Sequence, residues 1–233
     1  MASCRITQVT IADSEAVTLN SIPAFWEDPN WVITWKHTTL EAHLIECLKR
    51  SPRNLITDRA HKRHQKAVDS EGRLIGYARW LLPDTHARLE VWPEAVVPPV
   101  GAEEEGEMKR VAATAIWNPN DESDDLLVPL QEARKELLEG KKYMFLDYLA
   151  VHPKNKGKGI ATALVESGMQ EAENLGLDIF ITAFEAGVGI YKRLGFRILK
   201  DFVQDDSKFG GTGKAYFALM VYEQKDRNPR TEV

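Results

Sequence analysis

The chain has 233 residues, 43% of them hydrophobic, and its six Trp, eight Phe and six Tyr residues can supply a substantial core. A formal net charge of −5 argues against a general nucleic-acid-binding protein, because phosphate neutralisation needs a basic face. No apolar run is long enough to span a membrane, and no signal peptide is recognisable. We therefore expect a cytoplasmic protein with no nucleic-acid or membrane partner, in which Cys4 and Cys47 are reduced thiols.

The first 83 residues predict a strand, two helices and a hairpin. Residues 3–12 are typical of a strand, and residues 14–26 predict a helix that stops before Pro23. Residues 38–52 have helical apolar spacing and are expected to end before Pro52, whereas residues 64–83 predict a hairpin around an SEG turn. The basic run at 58–66 is expected to be a solvated loop. We predict no zinc site there, because His61 and His64 lack matching Cys or carboxylate ligands.

Residues 83–140 do not continue this regular succession of strands and helices. They hold six of the eleven prolines and two acidic clusters, EEEGE at 103–107 and DESDD at 121–125. Helical patterns occupy 108–117 and 125–140. Because this segment also contains Trp92 and Trp117, we interpret it as an insertion that packs against the rest of one domain spanning 1–233.

The remaining segment alternates strands and helices. A strand is predicted over residues 141–153, a long helix from about 157 to 175, and a nearly all-apolar strand at 177–183. A short helix is predicted to close at Gly195, and two final strands follow it.

The stretch HPKNKGKGIATALVESG at 152–168 places glycines and lysines at the start of the long helix. Helix starts carry unpaired N–H groups and a partial positive charge, so this pattern predicts an anion site. A Walker loop does not fit, because His152 occupies the position of the first glycine. A dinucleotide fingerprint fits poorly, because Thr162 replaces its third glycine and Asp178 lies at the near end of the next strand.

The loop Lys156-Gly157-Lys158-Gly159-Ile160-Ala161, together with IYKRLGF at 190–196, resembles the acyl-CoA loop and later motif of the GNAT N-acetyltransferase superfamily. The resemblance is close over residues 143–197. It implies an α/β fold with a central mixed, mostly antiparallel sheet splayed into a V and helices on both faces. The sequence departs from the family pattern at Lys156, where Gln or Arg is usual, and at Ala161, where Gly is usual.

The resemblance also implies acetyl-CoA as co-substrate and no metal. The pyrophosphate would bind the N–H groups of the helix start, helped by Lys156 and Lys158, which could equally be solvated charges. The pantetheine arm would bond the backbone beside Leu149, Ala150 and Val151 at a bulge of the preceding strand. The cofactor-binding set predicted in this way is Leu149, Ala150, Val151, Lys156, Gly157, Lys158, Gly159, Ile160, Ala161 and Thr162.

Two catalytic residues are predicted. The resemblance places Tyr191 at the position of the general acid beside the CoA sulfur, although a Tyr that only packs its helix on the sheet is the alternative. Asp147 is the candidate base, because a carboxylate in an otherwise apolar strand is costly unless paired or wet. Strand alternation would place Asp147 on the face of Leu149; pairing with an Arg is the competing interpretation, and some family members carry the carboxylate at Phe145. His152 is expected to be structural.

The function predicted is transfer of an acetyl group from acetyl-CoA to a primary amine of a small molecule, by direct attack in a ternary complex. The acidic insertion could attract a cationic amine or be a solvated surface, and Trp80, Trp92 and Trp117 could line the acceptor pocket or form insertion core. The alternatives are a protein N-terminal or lysine acetyltransferase and a non-catalytic acyl-CoA-binding or sensor protein. A monomer or a homodimer is expected.

Overall fold

The computed structural model describes residues 4–224. Seven strands form one sheet in the order β1-β2-β3-β4-β5-β7-β6, and every neighbouring pair is antiparallel except β4 and β5. The strands are β1 (Arg5–Gln8), β2 (Lys62–Val68), β3 (Leu74–Leu81), β4 (Tyr143–Ala150), β5 (Asp178–Phe184), β6 (Arg197–Gln204) and β7 (Ala215–Tyr222). The helices are α1 (Ser14–Phe25), α2 (Pro29–Thr34), α3 (Leu40–Ile56), α4 (Ala102–Ala113), α5 (Val128–Leu138), α6 (Ile160–Leu175) and α7 (Glu185–Arg193).

The sheet opens between its two parallel strands. β4 pairs with β5 only from Tyr143 to Leu146, opposite Asp178 to Ile181. Beyond these residues the two strands have no shared ladder, so their C-terminal halves diverge into a V. The predicted mixed, mostly antiparallel and splayed sheet is confirmed.

Helices cover both faces of the sheet, as predicted. On one face α6 and α7 enclose the largest core, in which Leu164 and Val165 of α6 meet Trp80 of β3. On the other face α1 packs on α3, β3 and β4, and α5 covers a second core that includes Phe180 and Phe217. A strand's side chains alternate between faces, so the two cores draw on alternate residues of the same strands.

Both predicted helix ends before proline are wrong. α1 continues through Pro23 to Phe25, and α3 continues through Pro52 to Ile56. A helical proline costs one N–H bond and a clash with the carbonyl four residues earlier. Packing of α1 on α3 and of Leu55 in the core (3% exposed) outweighs that cost here.

The prediction of a solvated loop at 58–66 is also wrong, because its second half begins β2 at Lys62. Arg63 and His64 are fully buried. The Arg63 guanidinium is satisfied by backbone carbonyls instead of water, those of Arg59, Ala60, Lys62, Arg88 and Val91. A basic residue whose charge is fully hydrogen-bonded can therefore occupy a buried strand position.

The segment 83–140 packs against the sheet and its helices. A short 3-10 turn at Pro93–Ala95 contacts β1 and β2, α4 packs on α3, and α5 contributes to the core under β5 and β7. The acidic run 103–107 forms the first half of α4 and is mostly exposed. That the whole chain is one domain with this segment as its insertion remains a proposal.

Between residues 4 and 224, none of the helices combines the length and apolar character required to cross a bilayer.

Candidate active site

The loop before α6 is built to expose backbone N–H groups. Gly157 and Gly159 have φ of +76° and +81°, a region that glycine occupies without strain. Gly159 is the N-cap of α6 and supplies no side-chain acceptor. Within the described chain the N–H groups of Ile160, Ala161 and Thr162 have no hydrogen-bond partner, as expected for an uncapped helix start.

The space beside these glycines is open. A Cβ built on either Gly157 or Gly159 would meet no atom within 4 Å. The Lys158 ammonium donates to Asn155 Oδ1 at 2.7 Å, and Lys156 forms an exposed ion pair with Glu27, which follows α1. The predicted loop residues are therefore brought together around open space, and an anion fits there by charge and by donor geometry.

The exit of β4 is tied to α1 by Asn20, which is 4% exposed. Its amide nitrogen donates to the Ala150 carbonyl at 3.0 Å, and its amide oxygen accepts from the His152 N–H at 3.1 Å. In extended backbone these groups alternate in direction, so those of Leu149 and Val151 point to the opposite edge. His152 itself accepts the N–H of Lys154.

A bulge in β4 changes the predicted orientation of Asp147. Leu146 pairs with Trp80 and Tyr148 with Arg79, so Asp147 is the extra residue. Leu149 packs with the α6 core, whereas the Asp147 carboxylate contacts Arg79 on the other face. The expectation that Asp147 and Leu149 share a face is wrong, because the bulge shifts the alternation by one residue.

Asp147 is paired with an arginine, the arrangement that the sequence left open. Arg79 Nε donates to Asp147 Oδ2 at 2.6 Å, and its Nη2 contacts the same oxygen. The guanidinium carbon lies 4.0 Å from the centroid of the Tyr148 ring. The Asp147 side chain keeps 31% of its surface exposed, and its Oδ1 accepts no hydrogen bond from the described residues.

A cavity of about 290 Å³ lies on this same face, between α1, α2 and α3 on one side and β2, β3 and β4 on the other. Its lining includes Arg79 and Tyr148, so it reaches the strand that carries Asp147. The other lining residues are Val17, Thr18, Ser21, Ile22, Phe25, Trp31, Cys47, Arg50, Ser51, Asn54, Leu55, Lys62, His64, Tyr77 and Trp117. Trp117 is therefore in the cavity wall, whereas Trp80 and Trp92 are core residues.

Sequence reasoning missed most of this lining. The sequence predicts no acceptor-site role for Arg50, Lys62 or Tyr77, and it raises His64 only as a zinc ligand, a role that is rejected. His64 Nδ1 lies 2.8 Å from the Tyr77 hydroxyl, and burial lowers the pKa of His64 to about 3. The first five residues of β2, KRHQK, are all polar and show no alternation of apolar and polar residues, so they carry little strand signal in the sequence.

Tyr191 lies on the opposite face of the sheet from the cavity. It is 8% exposed, belongs to the α6 core and packs on Phe196 with ring centroids 5.6 Å apart. Burial raises the pKa of its phenol, so the hydroxyl stays protonated at neutral pH.

The fold and the loop define an α/β protein with a split sheet and an uncapped, glycine-lined helix start beside the split. The model of the Acetyltransferase (GNAT) family matches residues 82–196, so the chain carries a domain of that family and the resemblance seen in the sequence is confirmed. No curated protein matches the chain.

Several solved structures share the fold along nearly the whole chain. A histone acetyltransferase HPA2 and related acetyltransferase from Corynebacterium glutamicum is 17% identical, with a TM-score of 0.60 over 98% of this chain and 99% of its own. A polyamine N-acetyltransferase of Drosophila melanogaster is 14% identical, with a TM-score of 0.53 over 95% and 100%. A GCN5-related N-acetyltransferase from Kribbella flavida is 16% identical, with a TM-score of 0.50 over 95% and 98%. At these identities the likeness concerns the fold alone.

Proposed function

We propose that the protein is an N-acetyltransferase that moves the acetyl group of acetyl-CoA to a primary amine of a small molecule. The observation that carries this proposal is the opening of the sheet between β4 and β5 beside the uncapped, glycine-lined start of α6. The pyrophosphate of acetyl-CoA would accept from the N–H groups of residues 157–162. Lys156 and Lys158 are exposed at that loop and would add positive charge.

The pantetheine arm would lie along the exit of β4. Its amides can bond like an added strand, and the backbone groups of Leu149 and Val151 point away from the edge that Asn20 occupies. Ala150 lies between them with its own carbonyl already accepting from Asn20. This arrangement supports the assignment of residues 149–151 to co-substrate binding.

The chemistry is acyl transfer from sulfur to nitrogen. The amine nitrogen attacks the thioester carbonyl carbon, the C–S bond breaks, and the CoA thiolate leaves. Tyr191 would donate its phenolic proton to that thiolate, and its raised pKa keeps the proton available at neutral pH. Because Tyr191 and the cavity lie on opposite faces, the amine would approach the split from one side and the acid from the other.

Asp147 would take the proton that the attacking amine loses, directly or through water. Its Oδ2 is engaged by Arg79, so Oδ1 is the oxygen that would act as the base. The cations around the cavity would also lower the pKa of a bound amine and favour its neutral, nucleophilic form. Less basicity is then required of the carboxylate.

Two other functions are compared with this proposal. The cavity is partly open, and its volume of about 290 Å³ supports a small acceptor, whereas a protein N-terminal or lysine acetyltransferase needs a groove for a peptide. The Arg79–Asp147 ion pair favours a non-catalytic acyl-CoA-binding protein, because it engages the proposed base.

The test is an assay of thiol release from acetyl-CoA with a panel of small amines and short peptides, with mass spectrometry of the product. We expect release that requires both the protein and one class of small amine, and an acetylated amine as product. Peptide acetylation would support the protein acetyltransferase instead. Acetyl-CoA binding without release on any acceptor would contradict catalysis.

A matched pair of glycine variants tests the loop itself. Gly159→Ala and Gly72→Ala place a Cβ at nearly the same φ, +81° and +80°, and each Cβ meets open space. The backbone strain is therefore similar, but only Gly159 adjoins the start of α6. Calorimetry should show weaker acetyl-CoA binding for Gly159→Ala alone; equal binding by both variants would count against the loop as the pyrophosphate site.

A further inference from the structure

The cavity between α1, α3 and the sheet offers positive charge and no negative charge. Three cations are among its lining residues, Arg50, Lys62 and Arg79, and no Asp or Glu is. The acidic insertion does not supply one, because neither acidic cluster contributes to the lining. Its carboxylates lie on the surface, where Glu105 pairs with Lys109 and Glu122 with Lys36.

Two of the three cations have no anionic partner in the described chain. Arg79 is neutralised by Asp147, but Arg50 and Lys62 form no ion pair between residues 4 and 224. Arg50 Nε is buried without a hydrogen-bond acceptor, and its guanidinium lies 3.7 Å from the centroid of the Trp117 ring. A buried donor without an acceptor, such as Arg50 Nε, is unfavourable, so an anion that enters the cavity and accepts from it would be stabilised there.

Further polar atoms of the lining lack partners. Trp31 Nε1, which can only donate, and Ser21 Oγ are both buried without hydrogen bonds in the described structure. Burial keeps His64 neutral, with a pKa of about 3, so its ring adds no charge. Of the four polar atoms of this lining that have no partner within residues 4–224, Arg50 Nε and Trp31 Nε1 can only donate, whereas Ser21 Oγ and His64 Nε2 can donate or accept. A group rich in acceptors therefore suits the cavity.

The wall of the cavity also contains several aromatic rings. Phe25 and Trp31 stack with ring centroids 4.9 Å apart, and Phe25 meets Tyr148 edge to face at 5.1 Å. These rings form an apolar part of the cavity wall next to the hydrogen-bond donors. An amine with a short hydrocarbon or aromatic segment fits this combination.

We infer that the acceptor is a primary amine that also carries an anionic group, a carboxylate or a phosphate, bound by Arg50 and Lys62 in this cavity. The inference rests on the proposed function and specifies its substrate class. A dicationic polyamine is disfavoured, because its second ammonium would face the like charges of Arg50 and Lys62. The anion holds the acceptor in the cavity while its amine reaches Asp147 and the sheet split.

The test compares acceptors that differ only in the anion. The pairs are phenylalanine and phenethylamine, 4-aminobutyrate and butylamine, and O-phosphoethanolamine and ethanolamine, with putrescine as the dication. We expect at least one anionic member to have kcat/KM about tenfold or more above its partner, and the carboxylate and phosphate pairs distinguish the two anions. Preference for the neutral amines or for putrescine would overturn the inference and leave the acetyltransferase proposal intact.

Variants assign the preference to the two cations. Arg50→Gln and Lys62→Gln should reduce kcat/KM for the anionic acceptor about tenfold more than that of its neutral partner, mainly through KM. Lys49→Gln is the matched control, because Lys49 is adjacent on α3 but pairs with Glu46 outside the cavity lining. An anion preference that persists in both cavity variants would overturn the assignment.

Binding separates this inference from the proposed function. The same acceptor pairs are titrated by calorimetry into full-length protein saturated with CoA. Tighter binding of the anionic member, lost in Arg50→Gln, would support the inference even if no acceptor released thiol, an outcome that would reject only catalysis. Equal binding of both members would overturn the inference whatever the activity.

Discussion

The two side chains proposed for catalysis, Asp147 and Tyr191, lie on opposite faces of the sheet. Tyr191 is embedded in the α6 core, whereas Asp147 is the bulge residue of β4 on the cavity face. Their proposed roles are therefore physically separate: one acts at the leaving sulfur, the other at the attacking nitrogen. Substitution of each residue should affect a different proton transfer.

Tyr191→Phe removes the phenolic proton and keeps the ring that packs on Phe196. If that proton goes to the CoA thiolate, kcat should fall about 100-fold with little change in acetyl-CoA binding. Tyr222→Phe is the control, since Tyr222 also packs on Phe196 but its hydroxyl donates to Glu173. Equal kcat for the two variants would assign Tyr191 a packing role only.

His64 makes stability depend on pH. Burial lowers its pKa to about 3 from about 6.5, so the unfolded chain binds the proton more readily than the folded one. Neutral His64 therefore contributes its full share to the free energy of unfolding above pH 6.5, and this contribution is lost as the pH falls toward 3. His43, with its pKa lowered to about 4, acts in the same direction.

We expect the free energy of unfolding in urea to decrease from pH 7 to pH 4.5. In His64→Gln that decrease should be smaller by about 2 kcal/mol, in keeping with about 1.4 kcal/mol per pKa unit. His37→Gln, at an exposed position, should retain the full decrease. An unchanged slope in His64→Gln would mean that His64 is not the buried neutral group described.

At the scale of elements, α6 approaches β3 closely because Gly168 has no side chain. A Cβ on Gly168 would overlap the indole ring of Trp80, which is fully buried. This contact sets the distance of the helix from the sheet, and with it the position of the loop that begins the helix.

Gly168→Ala should destabilise the protein by about 1–3 kcal/mol, because overpacking at Trp80 exceeds the gain in helix propensity. Gly106→Ala in α4 is the matched control. There the Cβ meets only Arg110 at 4.0 Å, so propensity alone should stabilise by about 0.5–1 kcal/mol. Urea unfolding measures both, and a stabilising Gly168→Ala would contradict the close packing.

Elements with strong periodicity or turn chemistry were predictable from the sequence, but several of their ends were not. The hairpin around the SEG turn, the long helix α6 and the apolar strand β5 all form where predicted. α1 and α3 run past their prolines, because tertiary packing overrides a local helix signal. The acidic run 103–107 lies in the first half of α4, before the helical pattern predicted at 108–117.

The loop before α6 was predictable from the sequence, whereas the cavity was not. The loop before α6 is encoded by contiguous glycines and lysines, so a local motif identified it. The cavity collects side chains from α1 to α3 and from β2 to β4, which no local pattern brings together. The bulge at Asp147 was invisible for the same reason, since it depends on the register of β4 against β3.

At the scale of the whole molecule, the two faces of the sheet carry different parts of the candidate site. α6 and its loop lie on one face, the cationic cavity lies on the other, and the V between β4 and β5 connects them. The shared fold of the GNAT structures extends over nearly the whole chain. The central claim is that acetyl-CoA occupies this split and the loop before α6.

Amide hydrogen exchange read by mass spectrometry, with and without saturating acetyl-CoA, tests that claim most directly. We predict slower exchange in residues 147–164, where the ligand would cover the exit of β4 and the N–H groups of the helix start, and unchanged exchange in the edge strands β1 and β6. Unchanged exchange across 147–164, or protection confined to other parts of the chain, would contradict the account.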